Sequence, residues 1–491
     1  MIRTLAVLGI LCVYLATGSA GEQTASVACP PELEPVREVI ATAMTRGDRT
    51  PGVAVMVTKK GKTIWAEGFG IADLETKAPV TLDTIFLLAS VSKPITATGL
   101  MMLVDEDKVR LDSPANEYLP GPKLRAFAGT PEEITVARLL SHTAGLPIHY
   151  NFYYAGSTRP TMDEAIARFG AACYAPGTRY VYSNFGFGVL EYMTEVVSGE
   201  PWAEFMERRV YDPLGMTGTS DHVRVERISD RAQPYTVSAG GRFTPVAAYD
   251  FDHRGASAIW SSAHDLTRFL RMHVNGGKLE GTRVLSKASA GRMLEPPLKN
   301  SPYGLGWFVE EHSGRRMFGH SGGMPGVSTT IAAWPDQDVT LVVLTNCDSN
   351  AGLPNSVQQR VERALIVPDN KSTPPQSNPK DAGKPDYAGQ WKGRIAHFDG
   401  DIDVLLTVEK DGAAKVALGN GNAIPMRGVS LDLVFTGNID GKLRVQDGYH
   451  GTPILTFRLE QQDADRMTGT VFAAASGYFG VSFWIEVTRA K

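Results

Sequence analysis

Over 52–73 (GVAVMVTKKGKTIWAEGFGIAD) apolar residues alternate with polar ones or run together, and the break at Lys60-Gly61 predicts a β-hairpin. A long apolar stretch follows Ser90 and continues through Met101-Met102-Leu103-Val104, as in a buried helix; helical periodicity recurs over 185–197 and 202–210. Beyond these, 303–309, 316–320, 328–334 and 339–345 are strand-like and separated by turns, and 357–366 is helical. The pattern predicts an α/β unit whose N- and C-terminal parts complete one sheet around an inserted helical lobe, with a cleft between lobes as the place for a site.

The pattern changes sharply at residues 367–386 (VPDNKSTPPQSNPKDAGKPD), where five prolines and almost no apolar side chains predict an extended linker. From 387 to 491, short alternating runs such as Val404-Leu405-Leu406-Thr407-Val408 are punctuated by Asp-Gly and Gly-Asn turns and predict a small all-β barrel or sandwich. At the other end, residues 1–20 combine a basic Arg3, an apolar run from Leu5 to Ala16, and Gly18 and Ala20 at signal-peptidase spacing. That is the pattern of an export signal, and the run is shorter than the ~20 residues of a membrane span. An exported protein beginning at residue 21 would keep Cys29, Cys173 and Cys347, an odd count that leaves at least one thiol free and one disulfide possible. Ser26-Val27-Ala28 make a poor lipobox before Cys29, which argues against lipidation.

With 491 residues and 43% hydrophobic content the chain is long enough for two or more cores. A formal charge of −4 without basic tracts excludes a nucleic-acid-binding design. The chemistry lies in three clusters far apart in sequence: Ser90-Val91-Ser92-Lys93, Tyr182-Ser183-Asn184 and His320-Ser321-Gly322. Serine is a poor nucleophile at neutral pH and needs a base held against its hydroxyl. On a helix, positions three apart share a face, so Lys93 falls beside Ser90 provided Pro94 lies in the first turn. Tyr182, a phenol of ordinary pKa ~10, is expected to be lowered by cationic neighbours and to act as partner base and then acid, and Asn184 would orient Lys93. Neither H-E-x-x-H, nor paired cysteines, nor the G-x-S-x-G elbow occurs, so no metal or other cofactor is expected. His142 is expected to form a loop, and His253 and His264 join no recognisable constellation.

Together with Leu139-Leu140-Ser141-His142-Thr143-Ala144-Gly145-Leu146-Pro147, the run PGTRYVYS over 176–183, and Tyr303-Gly304-Leu305-Gly306-Trp307, the three clusters resemble the serine β-lactamase and penicillin-binding-protein superfamily, in its class C branch with Y-x-N. The resemblance covers roughly residues 35–365. It implies an antiparallel sheet flanked by helices plus a helical lobe, and an acyl-enzyme on Ser90 whose oxyanion is held by the amides of Ser90 and Gly323. His320 replaces the lysine that binds substrate carboxylates in β-lactamases, which resembles D-aminopeptidase, alkaline D-peptidase and esterase relatives. The expected activity is that of an exported serine hydrolase acting on a small-molecule or short-peptide amide or ester, above all D-amino-acid-containing peptides or amides or small esters, with a true β-lactamase, a D,D-carboxypeptidase or a slowly turning penicillin sensor as alternatives. Gly389-Gln390-Trp391 resembles the G-x-W opening of lipocalin-like barrels appended to some of these hydrolases, and such a barrel would either enclose a ligand or be filled by its own side chains.

Overall fold

A computed structural model describes residues 25–45, 50–221, 229–238, 240–299, 301–312, 314–348, 352–366, 386–447 and 449–490. The expected signal peptide and nearly all of the expected linker lie outside these residues. No helix among them is long and apolar enough to cross a membrane.

The hairpin forms as the pattern predicts, with strands Gly52–Lys59 and Lys62–Asp73. Lys60 (φ 49°) and Gly61 (φ 73°) make the left-handed two-residue turn that matches strand twist. Val339–Thr345 returns from nearly 300 residues away to pair with the first strand, Val53 opposite Thr345. Arg315–Met324 and Val327–Trp334 extend the sheet outward and Phe308–His312 ends it, giving seven strands in all, paired antiparallel. The strand expected at 303–309 begins only at Phe308, because Gly306 (φ 90°) folds 303–307 into a loop against Pro94 and Ala97 of the serine helix.

Alternation sorts the strand residues between two cores. Val55, Val57, Leu341 and Val343 pack with helices Glu34–Thr45 and Gly352–Leu365, while Ala54, Met56, Val342 and Leu344 face the helical lobe. At the centre of that lobe Ser92–Asp105 is buried over 12 consecutive residues, from Ser92 to Leu103, which is why its sequence is apolar on every side. Asn184–Ser198 packs across it, while the run expected over 202–210 is helical to Met206 and then widens into a π turn, Glu207–Tyr211.

The C-terminal part curls nine antiparallel strands, from Gly389–Ile395 to Phe479–Arg489, into a nearly closed barrel. The first and last strands of its path, Ile424–Pro425 and Arg427–Leu431, are separated in the chain by Met426 alone, so the two edges of the sheet meet. Trp391, Leu406, Val416, Phe457, Val471 and Ile485 fill the interior. Trp391 of the G-x-W opening is fully buried and donates through Nε1 to the Tyr387 carbonyl at 2.8 Å.

The barrel also shares a sheet with the N-terminal α/β unit. Phe479, Gly480 and Val481 pair with Asn151, Tyr150 and His149 of the strand His149–Tyr154, whose other edge takes Tyr249–Phe251. Gly480 is required at this seam, because a Cβ there would sit 2.1 Å from the Tyr150 ring. Cys29, Cys173 and Cys347 are all free thiols, so the possible disulfide does not form.

Candidate active site

The nucleophile turn is held from both sides. Leu88 donates its amide to the Ile259 carbonyl (2.9 Å) and accepts from the Thr329 hydroxyl (2.8 Å) through its own carbonyl. Ala89 then adopts φ 52°, a left-handed conformation costing of order 1–3 kcal/mol for a non-glycine residue. A 3-10 turn over Ala89–Val91 leads into the helix, which places Ser90 at its entrance and Pro94 in the first turn, as expected. Gly322 lies against this turn so closely that a Cβ would meet the Leu88 carbonyl oxygen at 2.2 Å. The absence of a side chain there lets the sheet edge reach the serine.

Lys93 is fully buried, yet its Nζ lies 3.0 Å from Ser90 Oγ, 2.7 Å from Asn184 Oδ1 and 3.1 Å from the Ala256 carbonyl. Burial pushes its pKa well below the ordinary lysine value. A neutral amine has two N–H donors and one lone pair. The two pure acceptors, Asn184 Oδ1 and the Ala256 carbonyl, take the donors, so the lone pair is left for the Ser90 hydroxyl proton.

Tyr182 contacts both members of this pair, its ring 4.8 Å from Lys93 Nζ and its hydroxyl hydrogen-bonded to Ser90. Burial raises its pKa, and the bond to Ser90 only partly offsets that rise, so the expected lowering by cationic neighbours does not occur. The physical reason is that the adjacent lysine is itself held neutral. His142 brackets the motif: its carbonyl accepts from Val181 N (2.7 Å) and its Nδ1 from Ser183 N (3.1 Å), with its own backbone at φ 58°. The expected loop-former therefore sets the backbone on both sides of Tyr182. Burial pushes its imidazole well below the ordinary histidine pKa, and the ring packs against Tyr182 at 4.2 Å and Tyr303 at 4.6 Å between centroids. Asn184 is the first residue of its helix rather than part of an extended segment, and its Nδ2 donates to the His149 carbonyl at 2.7 Å.

The third cluster contributes mainly backbone. His320 is buried, donating from Nδ1 to the Ser321 carbonyl (2.7 Å) and bonded through Nε2 to the Tyr303 hydroxyl (2.9 Å). Both ring nitrogens are thus occupied, and burial pushes its pKa down to about 3. This departs from the expectation of an ordinary histidine offering a hydrogen bond to substrate. Ser321 is exposed and shares a sheet face with its partner Thr330, which bonds Asn355 of the C-terminal helix, so its hydroxyl is on the face opposite His320 and Gly322. Gly323 is exposed at the strand edge, with open space where a side chain would be.

Behind Lys93 and Asn184 lies a polar layer that sequence reasoning missed. Asp252, fully buried in side chain, accepts from His149 Nε2 (2.9 Å), His253 Nδ1 (2.7 Å) and Asn151 Nδ2 (3.2 Å). Burial alone would raise its pKa, but the two imidazoles outweigh it and hold the carboxyl well below the usual carboxylate range. These ligand-type atoms converge closely, yet the carboxylate is already saturated by protein donors, so the trio fits a structural anion better than a metal centre. Next to it Glu191 accepts from Gly255 N at 2.5 Å, and burial pushes its carboxyl up to about 8. His253 therefore does join a constellation through the adjacent Asp252, but His149 lies 103 residues before Asp252 and no spacing rule links them.

A family model described as Beta-lactamase matches residues 36–365. Penicillin-binding protein 4 of Amycolatopsis lactamdurans is 30% identical over 323 residues, covering 62% of this chain and 83% of that protein. Among solved structures, SurE with D-Leu superimposes with TM-score 0.61 at 22% identity, and the octameric penicillin-binding protein homologue of Pyrococcus abyssi with 0.59 at 23%. Each covers 92% of this chain and 99% of its own, so the shared fold extends over the barrel.

Proposed function

From the premise that this chain belongs to the beta-lactamase family, we propose that it is an exported serine hydrolase that forms an acyl-enzyme on Ser90 from D-amino-acid amides or peptides, or from small esters. The observation that carries this reading is Lys93, buried 3.0 Å from Ser90 Oγ, with two pure acceptors for its N–H groups and a burial that favours the neutral amine. Lys93 takes the hydroxyl proton as Ser90 Oγ attacks the substrate carbonyl. The tetrahedral oxygen is held by the amides of Ser90 and Gly323, where one lost donor costs about 3 kcal/mol. Tyr182, kept protonated, hands its proton to the leaving amine or alcohol and recovers one from Lys93. Water then repeats the sequence on the acyl-enzyme.

The substrate class follows from what faces the nucleophile. A penicillin or a D-Ala-D-Ala peptide carries a carboxylate that a cation should meet, but His320 is neutral and internally bonded. Arg316 stands four residues up the strand, about 13 Å away at ordinary strand rise, and donates to the Leu294 carbonyl. Substrates without that carboxylate fit better, and the D-Leu in the related SurE structure supports a D-residue. A fluorophosphonate should label wild-type protein but not Ser90→Ala. In a panel assay D-amino-acid amides and nitrophenyl esters should show higher kcat/KM than nitrocefin or D-Ala-D-Ala peptides. Efficient nitrocefin hydrolysis would move the assignment to a true β-lactamase, and a fluorescent penicillin that acylates Ser90 but is not released would move it to a penicillin sensor.

A further inference from the structure

Where the barrel meets the hydrolase, the two form a partly open cavity of about 210 Å3, room for several water molecules. The guanidinium groups of Arg125, Arg168 and Arg394 line it together with a single carboxylate, Asp401. Arg394 is paired with Asp401 at 2.5 Å. Arg168 reaches only Asp447 at 3.4 Å, a carboxylate held more closely by Arg444 at 2.7 Å. Arg125 donates to the Ala167 carbonyl at 3.0 Å and has no carboxylate partner among the described residues. The cavity therefore carries a surplus of positive charge.

Between these charged groups the walls are flat and aromatic. Phe127 from the hydrolase and Trp484 from the barrel stack across the seam at 5.7 Å and 3°. His397 lies on Phe398 at 4.2 Å; its Nε2 donates to the Arg444 carbonyl and its Nδ1 accepts from Asp399 N, which fixes the ring in place. Aromatic surface beside a guanidinium excludes water and strengthens a charge-assisted bond, and the planar fork of arginine matches a carboxylate. The barrel interior is filled by its own side chains, so this outer seam, rather than the barrel lumen, is where a ligand has room.

We propose that the seam cavity binds a small organic carboxylate with a flat apolar body, at a site separate from Ser90. Arg125 and Arg168 would hold the carboxylate, and the Phe398 and Trp484 side the apolar body. The site lies close to the catalytic layer: Ser482 lines the cavity and donates to the Ile148 carbonyl at 3.3 Å, and Phe169 of its wall touches the His149 ring at 5.0 Å between centroids.

Phenylacetate titrated calorimetrically into the full-length protein tests this. Saturable binding at millimolar concentrations or below is expected, weakening with added salt and falling about tenfold or more in Arg125→Gln and in Arg168→Gln. The same affinity is expected in Ser90→Ala, and a weaker one in Trp484→Leu. Absence of saturable binding, or binding indifferent to both arginine substitutions, overturns the proposal. Loss of binding after serine labelling would assign phenylacetate to the active site instead, and equal affinity for inorganic phosphate would refute recognition of the apolar body.

Discussion

In the hydrolase lobe Lys93, Glu191, Asp252, His142, His253 and His320 are all buried, whereas the barrel turns Trp391, Val404, Leu406, Phe457 and Ile485 inward. The two interiors are equally dry but contain opposite chemistry. A dry apolar interior stabilises by burial alone, at ~25 cal/mol per Å2. A buried polar interior has to satisfy each group individually, and here burial favours the neutral forms of Lys93 and Tyr182, the two groups beside Ser90. The regions meet where they are most alike. Gln446, a buried amide of the barrel, donates to the Phe152 carbonyl at 2.6 Å, on the strand that begins with His149. From His149 the connection runs through its carbonyl to Asn184 and on to Lys93. The barrel therefore supports one of the two acceptors that keep the lysine oriented.

The largest effect tests whether the polar interior is catalytic at all. Ser90→Ala should abolish turnover with the fold intact, and Lys93→Met should lower acylation by about 10²–10⁴. Combining Lys93→Met with Tyr182→Phe should cost little more than Lys93→Met alone, because one proton path serves both. Additive losses in stopped-flow acylation rates would break the shared path.

Asp252→Asn comes next. It removes the anion that fixes His149 and His253, and should lower kcat about tenfold and stability by about 2–4 kcal/mol, measured by urea denaturation. Because the folded carboxyl lies below its unfolded value near 3.8, its contribution is present above that pH and is lost as pH falls through the folded value. The variant should lack this acid-limb dependence; an unchanged acid transition would mean the carboxylate contributes no linkage.

Gly480→Val acts from the barrel side by driving a side chain into the Tyr150 ring. We expect kcat to fall severalfold with KM for a nitrophenyl ester changing less, while the barrel still unfolds cooperatively. An unaltered kcat would make the barrel a passenger and sharpen the contrast between the regions. Glu191→Gln should have the smallest effect on turnover. Burial raises the Glu191 carboxyl from 4.5 to about 8, so the folded state binds the extra proton and stability declines as pH rises from about 4.5 to 8. Thermal unfolding of the glutamine variant should lose that decline and leave it the more stable protein at pH 9.

What could be read along the chain was local. Ser90 and Lys93 are three apart on a helix, Lys60-Gly61 suits only a tight hairpin turn, and the proline-rich stretch separates two kinds of apolar pattern. Most strands of the hydrolase sheet and the all-β character of the tail follow from such periodicities, because a period of two or of 3.6 is a property of neighbouring residues. The tertiary structure decided what burial and long-range contact control. The direction of the Tyr182 shift, the closure of His320 on Tyr303, the bracket of His142 on Ser183, and the pairing of Asp252 with His149 depend on groups brought together from far apart in the chain. A pKa is set by the dielectric and the charges around a group in space, and a strand seam by which edges are left open after folding. Sequence therefore determined which residues could react and which segments could become helix or strand; folding decided which of them are neutral, which are spent on one another, and that the last strand of the barrel lies beside the first strand behind Asn184.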